Sequence, residues 1–175
     1  HIDPMSMPLT RLANSVIDGV AGNVQAVADD AAKYLETDLL YYRAGFPEAL
    51  VARQAEHWDP VLRWAADTLG AHFILGEGVV HVCQPETAVA AARGVLPSEA
   101  WPVGAFHLVT TMTGSALLAL ALKNGVLDGA QVWAAAHVDE DWNSEKWGAD
   151  EEVAARRASK FRDFEAAVRV LKALG

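Results

Sequence analysis

The 175-residue chain has one cysteine, Cys83, so an intramolecular disulfide is impossible and a zinc site built on several thiolates is excluded. Basic residues are scarce: 14 Lys and Arg face 23 Asp and Glu, for a formal net charge of −9. That balance argues against broad binding of nucleic acid or anionic membrane, which requires a basic face. Phosphate-binding loops are absent, since neither Gly-x-x-x-x-Gly-Lys-Ser/Thr nor Gly-x-Gly-x-x-Gly occurs. The Gly-x-Ser-x-Gly elbow and the His-Glu-x-x-His zinc pair are missing too. The histidines, His1, His57, His72, His81, His107 and His137, are scattered and read as packing or surface residues. Cys83 and His81 are two apart on an extended segment, which is shared facing and not an activated pair.

What the chain does have is apolar and helical. Hydrophobic residues make up 52%, and alanine, the best helix former, occurs 33 times. A chain of this length buries roughly 70% of the surface its unfolded form exposes, enough to fold without staples. Thr10 reads as the cap of a helix stopped by Gly19, and Asn23 as the cap of a second. Thr37 and Asp38 offer a cap before Leu39-Leu40-Tyr41-Tyr42. Pro47-Glu48 opens a further helix, which Asp59-Pro60 restarts and Gly70 ends. Residues 72–83 read as two short strands and a turn, a hairpin that must lean on helices. Pro85-Glu86 opens a helix, Ser98 caps the next, and Asp128 caps one from Gly129 to about Lys146. Asp150-Glu151-Glu152 opens the last helix, whose apolar side is Phe161, Phe164, Val168, Leu171 and Leu174. The expected fold is mainly α: one domain over residues 1–175, an orthogonal helical bundle with a minor β-hairpin near 72–83.

Val103 to Leu122 carries no formal charge over twenty residues, long enough to span a bilayer. His107, Thr110, Thr111, Thr113 and Ser115, with Gly104 and Gly114 interrupting, favour two buried helices that meet near Gly114.

Two constellations stand out. Between Asp139 and Glu152 lie seven acids and one base, Lys146, a net of −6 in fourteen residues, with Trp142 and Trp147 interleaved. On a helix, Glu140, Ser144 and Trp147 share one face, and Asp141 and Glu145 another. A solvated helix end is the common meaning of such a run. A docking surface is the sharper one, because Trp is enriched at binding hot spots. A metal-dependent hydrolase using His137, Glu140 and Asp141 is the alternative, although no further ligands appear at recognisable spacing. The second constellation is Trp58-Asp59-Pro60 with Trp64, and Leu40-Tyr41-Tyr42-Arg43 upstream. It reads as a core corner in which proline fixes the turn and Asp59 caps it.

The run Leu35-Glu36-Thr37-Asp38-Leu39-Leu40-Tyr41-Tyr42-Arg43, then Pro47-Glu48, Gln54, Trp58-Asp59-Pro60 and Trp64-Ala65, resembles the α-subunit assembly chaperones of the F-type ATP synthase, the assembly factor twelve family. Met7-Pro8-Leu9-Thr10-Arg11-Leu12-Ala13-Asn14 is similar too, as is the acidic run closing on Lys146-Trp147-Gly148 with Glu151 after it. Asn143 stands where relatives often carry Gln, and residues 72–83 match only loosely, so nothing is carried over there. The resemblance implies a chaperone that holds the newly made α subunit until β replaces it, uses no nucleotide or other cofactor and catalyses nothing. It implies a partner-binding surface at Asp139, Glu140, Asp141, Trp147, Gly148 and Glu151, and a structural motif at Thr37, Asp38, Arg43, Trp58, Asp59, Pro60 and Trp64. It further implies that the family's N-terminal β-rich domain is missing from this chain. No nucleic-acid partner and no membrane insertion are expected, and the chain is expected to be monomeric. High alanine and arginine lean towards a bacterial cytoplasm, with the mitochondrial matrix the setting if the source is eukaryotic.

Overall fold

The computed structural model describes residues 6–148 and 150–174; His1 lies outside them. The helices are α1 (Pro8–Ser15), α2 (Val24–Ala32), α3 (Glu48–Leu69), α4 (Glu86–Arg93), α5 (Ala100–Thr113), α6 (Ala116–Lys123), α7 (Gly129–Ala136), α8 (Val138–Trp147) and α9 (Glu151–Leu174). A π-turn at Val16–Val20 follows α1, and 3₁₀ turns occupy Lys33–Glu36 and Leu39–Tyr41. Two-residue strands β1 (Tyr42–Arg43) and β2 (Gly76–Glu77) complete the set. The fold is mainly α, as expected.

The uncharged stretch is the centre of the bundle. Gly114 ends α5 at φ 72°, a conformation that glycine adopts without penalty. The Ser115 hydroxyl then accepts the Leu118 N–H at 2.9 Å and starts α6. Every residue of α6 from Ala116 to Leu122 is buried, because helices surround it on all sides. Gly104 lets α5 approach the π-turn: a Cβ there would lie 2.6 Å from Val16 Cγ2. Among the described residues no helix is long and apolar enough to cross a membrane, and the uncharged stretch is divided at Gly114 into helices of 14 and 8 residues.

Several local expectations are corrected. No hairpin forms at 72–83. Instead β2 pairs in parallel with β1, placing Tyr42 opposite Gly76 and Arg43 opposite Glu77. The return segment is held by a side chain: the Gln84 amide accepts from Ile74 N–H and donates to Ile74 C=O, both at 2.8 Å, in place of a strand partner. Thr10 lies inside α1, whose first turn is opened by Pro8, and Gly19 sits within the π-turn instead of stopping a helix. Asn23 and Glu99 hold the N-cap positions of α2 and α5 without a side-chain bond, so Ser98 is not the cap. Leu174 is exposed, whereas Phe164, Val168 and Leu171 are buried as expected.

Asp59-Pro60 does not restart a helix. α3 runs unbroken through Pro60, although proline costs a helix interior about 3 kcal/mol. The stripe Gln54, Trp58, Val61 and Ala65 is buried on both sides of Pro60, and that packing outweighs the missing N–H. Trp58 is therefore a core residue within a helix, its Nε1 donating to the Ala135 carbonyl at 2.7 Å. Asp59 is no cap: its carboxylate accepts from Arg43 Nη2 at 2.7 Å. Arg43 also donates to the Leu40 carbonyl at 3.0 Å and stacks over Trp58. Because Asp59 is half-exposed, Asp59→Ala is expected to cost only about 0.5–1 kcal/mol, less than a lost cap. A melting temperature that falls as far as that of a core truncation would contradict this.

Candidate partner-binding surface

The acidic segment begins from a firmly anchored helix. Asp128 and Gln131 form a capping box at the start of α7: Asp128 accepts the Gln131 N–H at 2.8 Å, and Gln131 accepts the Asp128 N–H at 2.9 Å. The expected continuous helix to Lys146 is broken at His137. There Nδ1 donates to the Trp133 carbonyl at 2.7 Å, the acceptor that the His137 backbone N–H would use in an α-helix. The backbone N–H bonds Ala134 instead, at 3.2 Å, and the chain changes direction into α8.

α8 is then fastened on two sides. Towards α3, the buried Gln54 donates to Asp139 at 2.7 Å while accepting the Ala44 N–H at 2.8 Å. Arg53 grips Glu145 with both guanidinium nitrogens at 2.9 Å and lies over Trp142, which Lys146 also approaches. The Arg53 hydrogen bond holds the Glu145 carboxyl below its ordinary range. Towards α9, Asp141 takes a two-pronged contact from Arg157, whose pKa it raises. On α9 itself, Glu152 pairs with Arg156, and Asp150 accepts the Glu152 N–H at 2.8 Å as an N-terminal cap.

These contacts divide the predicted residues into two groups. Asp139 and Asp141 hold α8 in place. Glu140 and Trp147 lie on the helix face opposite Val138, Trp142 and Glu145. Trp147 is 87% exposed, and Glu140 is 43% exposed with His137 Nε2 3.9 Å away. Gly148 closes α8 at φ 89°, and Glu151 is exposed in the first turn of α9. Sequence reasoning missed Arg53 and Arg157 as the groups that neutralise the other acids. No local spacing links them to α8. The hydrolase cluster does not assemble: no group of three metal-ligating side chains exists among the described residues, and Asp141 faces Arg157.

The structural motif forms a second, buried constellation. Asp38 is fully buried and accepts N–H bonds from Leu40 at 3.2 Å and from Leu117 at 3.0 Å, with Ser115 beside it. It therefore caps its own 3₁₀ turn and the distant α6 at once. Burial pushes its pKa up to about 6, against the pull of Ser115 and the backbone N–H groups. Thr37 is exposed, Trp64 half-buried and Pro60 exposed.

Residues 1–66 match the model of the ATP12 chaperone protein family. The whole fold is similar to that of the Atu1473 protein of Agrobacterium tumefaciens: TM-score 0.92 and 50% identity over 99% of this chain and 66% of that one. It is similar also to Atp12 of Paracoccus denitrificans, with TM-score 0.91 and 41% identity over 98% of this chain and 74% of that one. The chain thus spans two thirds to three quarters of the length of these relatives. With this similarity extending over nearly every residue described above, the chain belongs to the ATP12 chaperone family.

Proposed function

We propose that this chain is a holding chaperone in the assembly of the F-type ATP synthase, binding the newly made α subunit without ATP until β takes its place. Family membership supports an assembly chaperone. The observation that carries the reading to a surface is Trp147, an 87% exposed indole on the same helix face as Glu140, which makes no ion pair with Arg or Lys among the described residues. Asp139, Asp141 and Glu145 hold α8, and Asp150 and Glu152 make their contacts at the start of α9, so the charge free to meet a partner is at Glu140 and Glu151. An exposed interface on an unassembled subunit is prone to aggregate. A partner that covers it by mass action lowers the free concentration of that surface. A mixed aromatic and charged contact suits exchange better than a core-like one.

The expected result is that stoichiometric chain suppresses light scattering by isolated α subunit equally with and without ATP. Suppression that appears only with ATP would overturn the nucleotide-independent reading, and suppression for β but not α would overturn the choice of client.

A further inference from the structure

Two loops leave large apolar side chains open. Phe46 is 84% exposed, Val79 98% and Val80 70%. Open apolar side chains grouped on a protein with a filled core mark an interaction site. The backbone draws these loops together: β1 pairs with β2, and Gly78 N–H donates to the Arg43 carbonyl at 2.9 Å. The Glu77 carboxylate packs against Gly45, where a Cβ would collide with it. One buried side chain then ties the same loop to the candidate surface, since Gln54 bridges the Ala44 N–H and Asp139, the neighbour of Glu140. The Val79-Val80 loop thus adjoins the Phe46 loop, which Gln54 links to α8 at Asp139. The nearest arginines, Arg43 and Arg53, are paired with Asp59 and Glu145, whereas Glu48 and Glu77, both exposed, rim the loops.

We propose that Phe46, Val79 and Val80 form an apolar lobe of the client surface, separate from the Glu140 and Trp147 face, which receives an apolar segment of the α subunit flanked by basic side chains. The acidic rim selects the basic flank and disfavours anionic lipid. This inference rests on the α-subunit reading above, and it adds a second contact that the acidic segment alone does not supply.

The test is calorimetric binding of purified α subunit to the full chain, to Phe46→Ser, and to Phe46→Ser/Val79→Ser/Val80→Ser, with Glu140→Lys in parallel. The three side chains are exposed, so melting temperatures are expected to stay at the wild-type value. The triple variant is expected to bind at least about tenfold more weakly, and Phe46→Ser to show part of that loss. Glu48→Lys/Glu77→Lys is expected to slow association and flatten its salt dependence. Triple-variant binding within about twofold of wild type, with Glu140→Lys still weakened, would overturn the lobe and leave the α-subunit reading standing. No binding by the wild-type chain itself would overturn that reading instead. A wild-type dimer that the triple variant converts to monomer would assign the lobe to a second copy of the chain and overturn the proposal.

Discussion

Replacing Asp38 with alanine is expected to cost about 2–5 kcal/mol, because two buried N–H groups at two helix ends lose their acceptor at once. Neither Leu40 N nor Leu117 N has water as a substitute, since both residues are buried. The loss should also depend on pH, with a definite sign. The folded-state pKa of Asp38 is about 6, above the ordinary 3.8, so the folded protein holds the proton more tightly than the unfolded chain does. The stability contributed by that proton is fully present below the unfolded pKa and is lost as pH rises through about 6. The gap in melting temperature between wild type and Asp38→Ala should therefore be wider near pH 5 than near pH 7.5, at roughly constant ionic strength. Thermal melts of both proteins across that range check the prediction. A gap that widens with rising pH would show that Asp38 is held as a stabilised carboxylate. Asp38→Asn should recover part of the loss, because an amide oxygen serves one N–H while its nitrogen faces the other.

Glu140→Lys should weaken binding of the α subunit by about 2–5 kcal/mol, which is roughly thirtyfold or more, while leaving the fold intact. The side chain is 43% exposed and stands 3.9 Å from His137 Nε2, so its replacement removes no hydrogen bond that anchors α8, although its charge acts on the anchoring Arg157. Asp141 makes the useful contrast on the same helix. Its partner Arg157 belongs to α9, and Asp141→Lys should disturb the junction of α8 and α9 and lower the melting temperature. Asp150→Lys should act on the start of α9, where the lost cap costs about 0.5–2 kcal/mol, and change binding less. Binding affinities and circular dichroism melts measured on the same preparations separate the two effects. Affinity of Glu140→Lys within about twofold of wild type would mean that Glu140 is only solvated, and would remove it from the site.

The amino-acid sequence by itself determined the features that short-range physics controls. Helical periodicity, the break at Gly114-Ser115, the capping box at Asp128 and the cap at Asp150 all depend on residues four or fewer apart. The uncharged run 103–122 announced a buried centre, and its polar residues and glycines pointed to two helices inside protein. The order of motifs from Met7 to Glu151 also carried the family. Tertiary structure decided what depends on distant partners. Pro60 sits inside a continuous helix because packing on both sides of it outweighs its local cost. Residues 76–77 pair with 42–43 because that extended segment, already fixed by Arg43 and Gln54, offers backbone groups that a hairpin of exposed valines cannot match in burial. His137 splits a helix because its ring competes for a backbone acceptor. Above all, the division of the acids was invisible locally. Glu145 and Asp139 are answered by Arg53 and Gln54, at separations of 92 and 85 residues, and Asp38 caps an N–H group 79 residues away. Residue spacing describes neighbours along one helix or strand, whereas the choice between an anchoring carboxylate and an exposed one is made by whichever side chain the folded chain brings opposite.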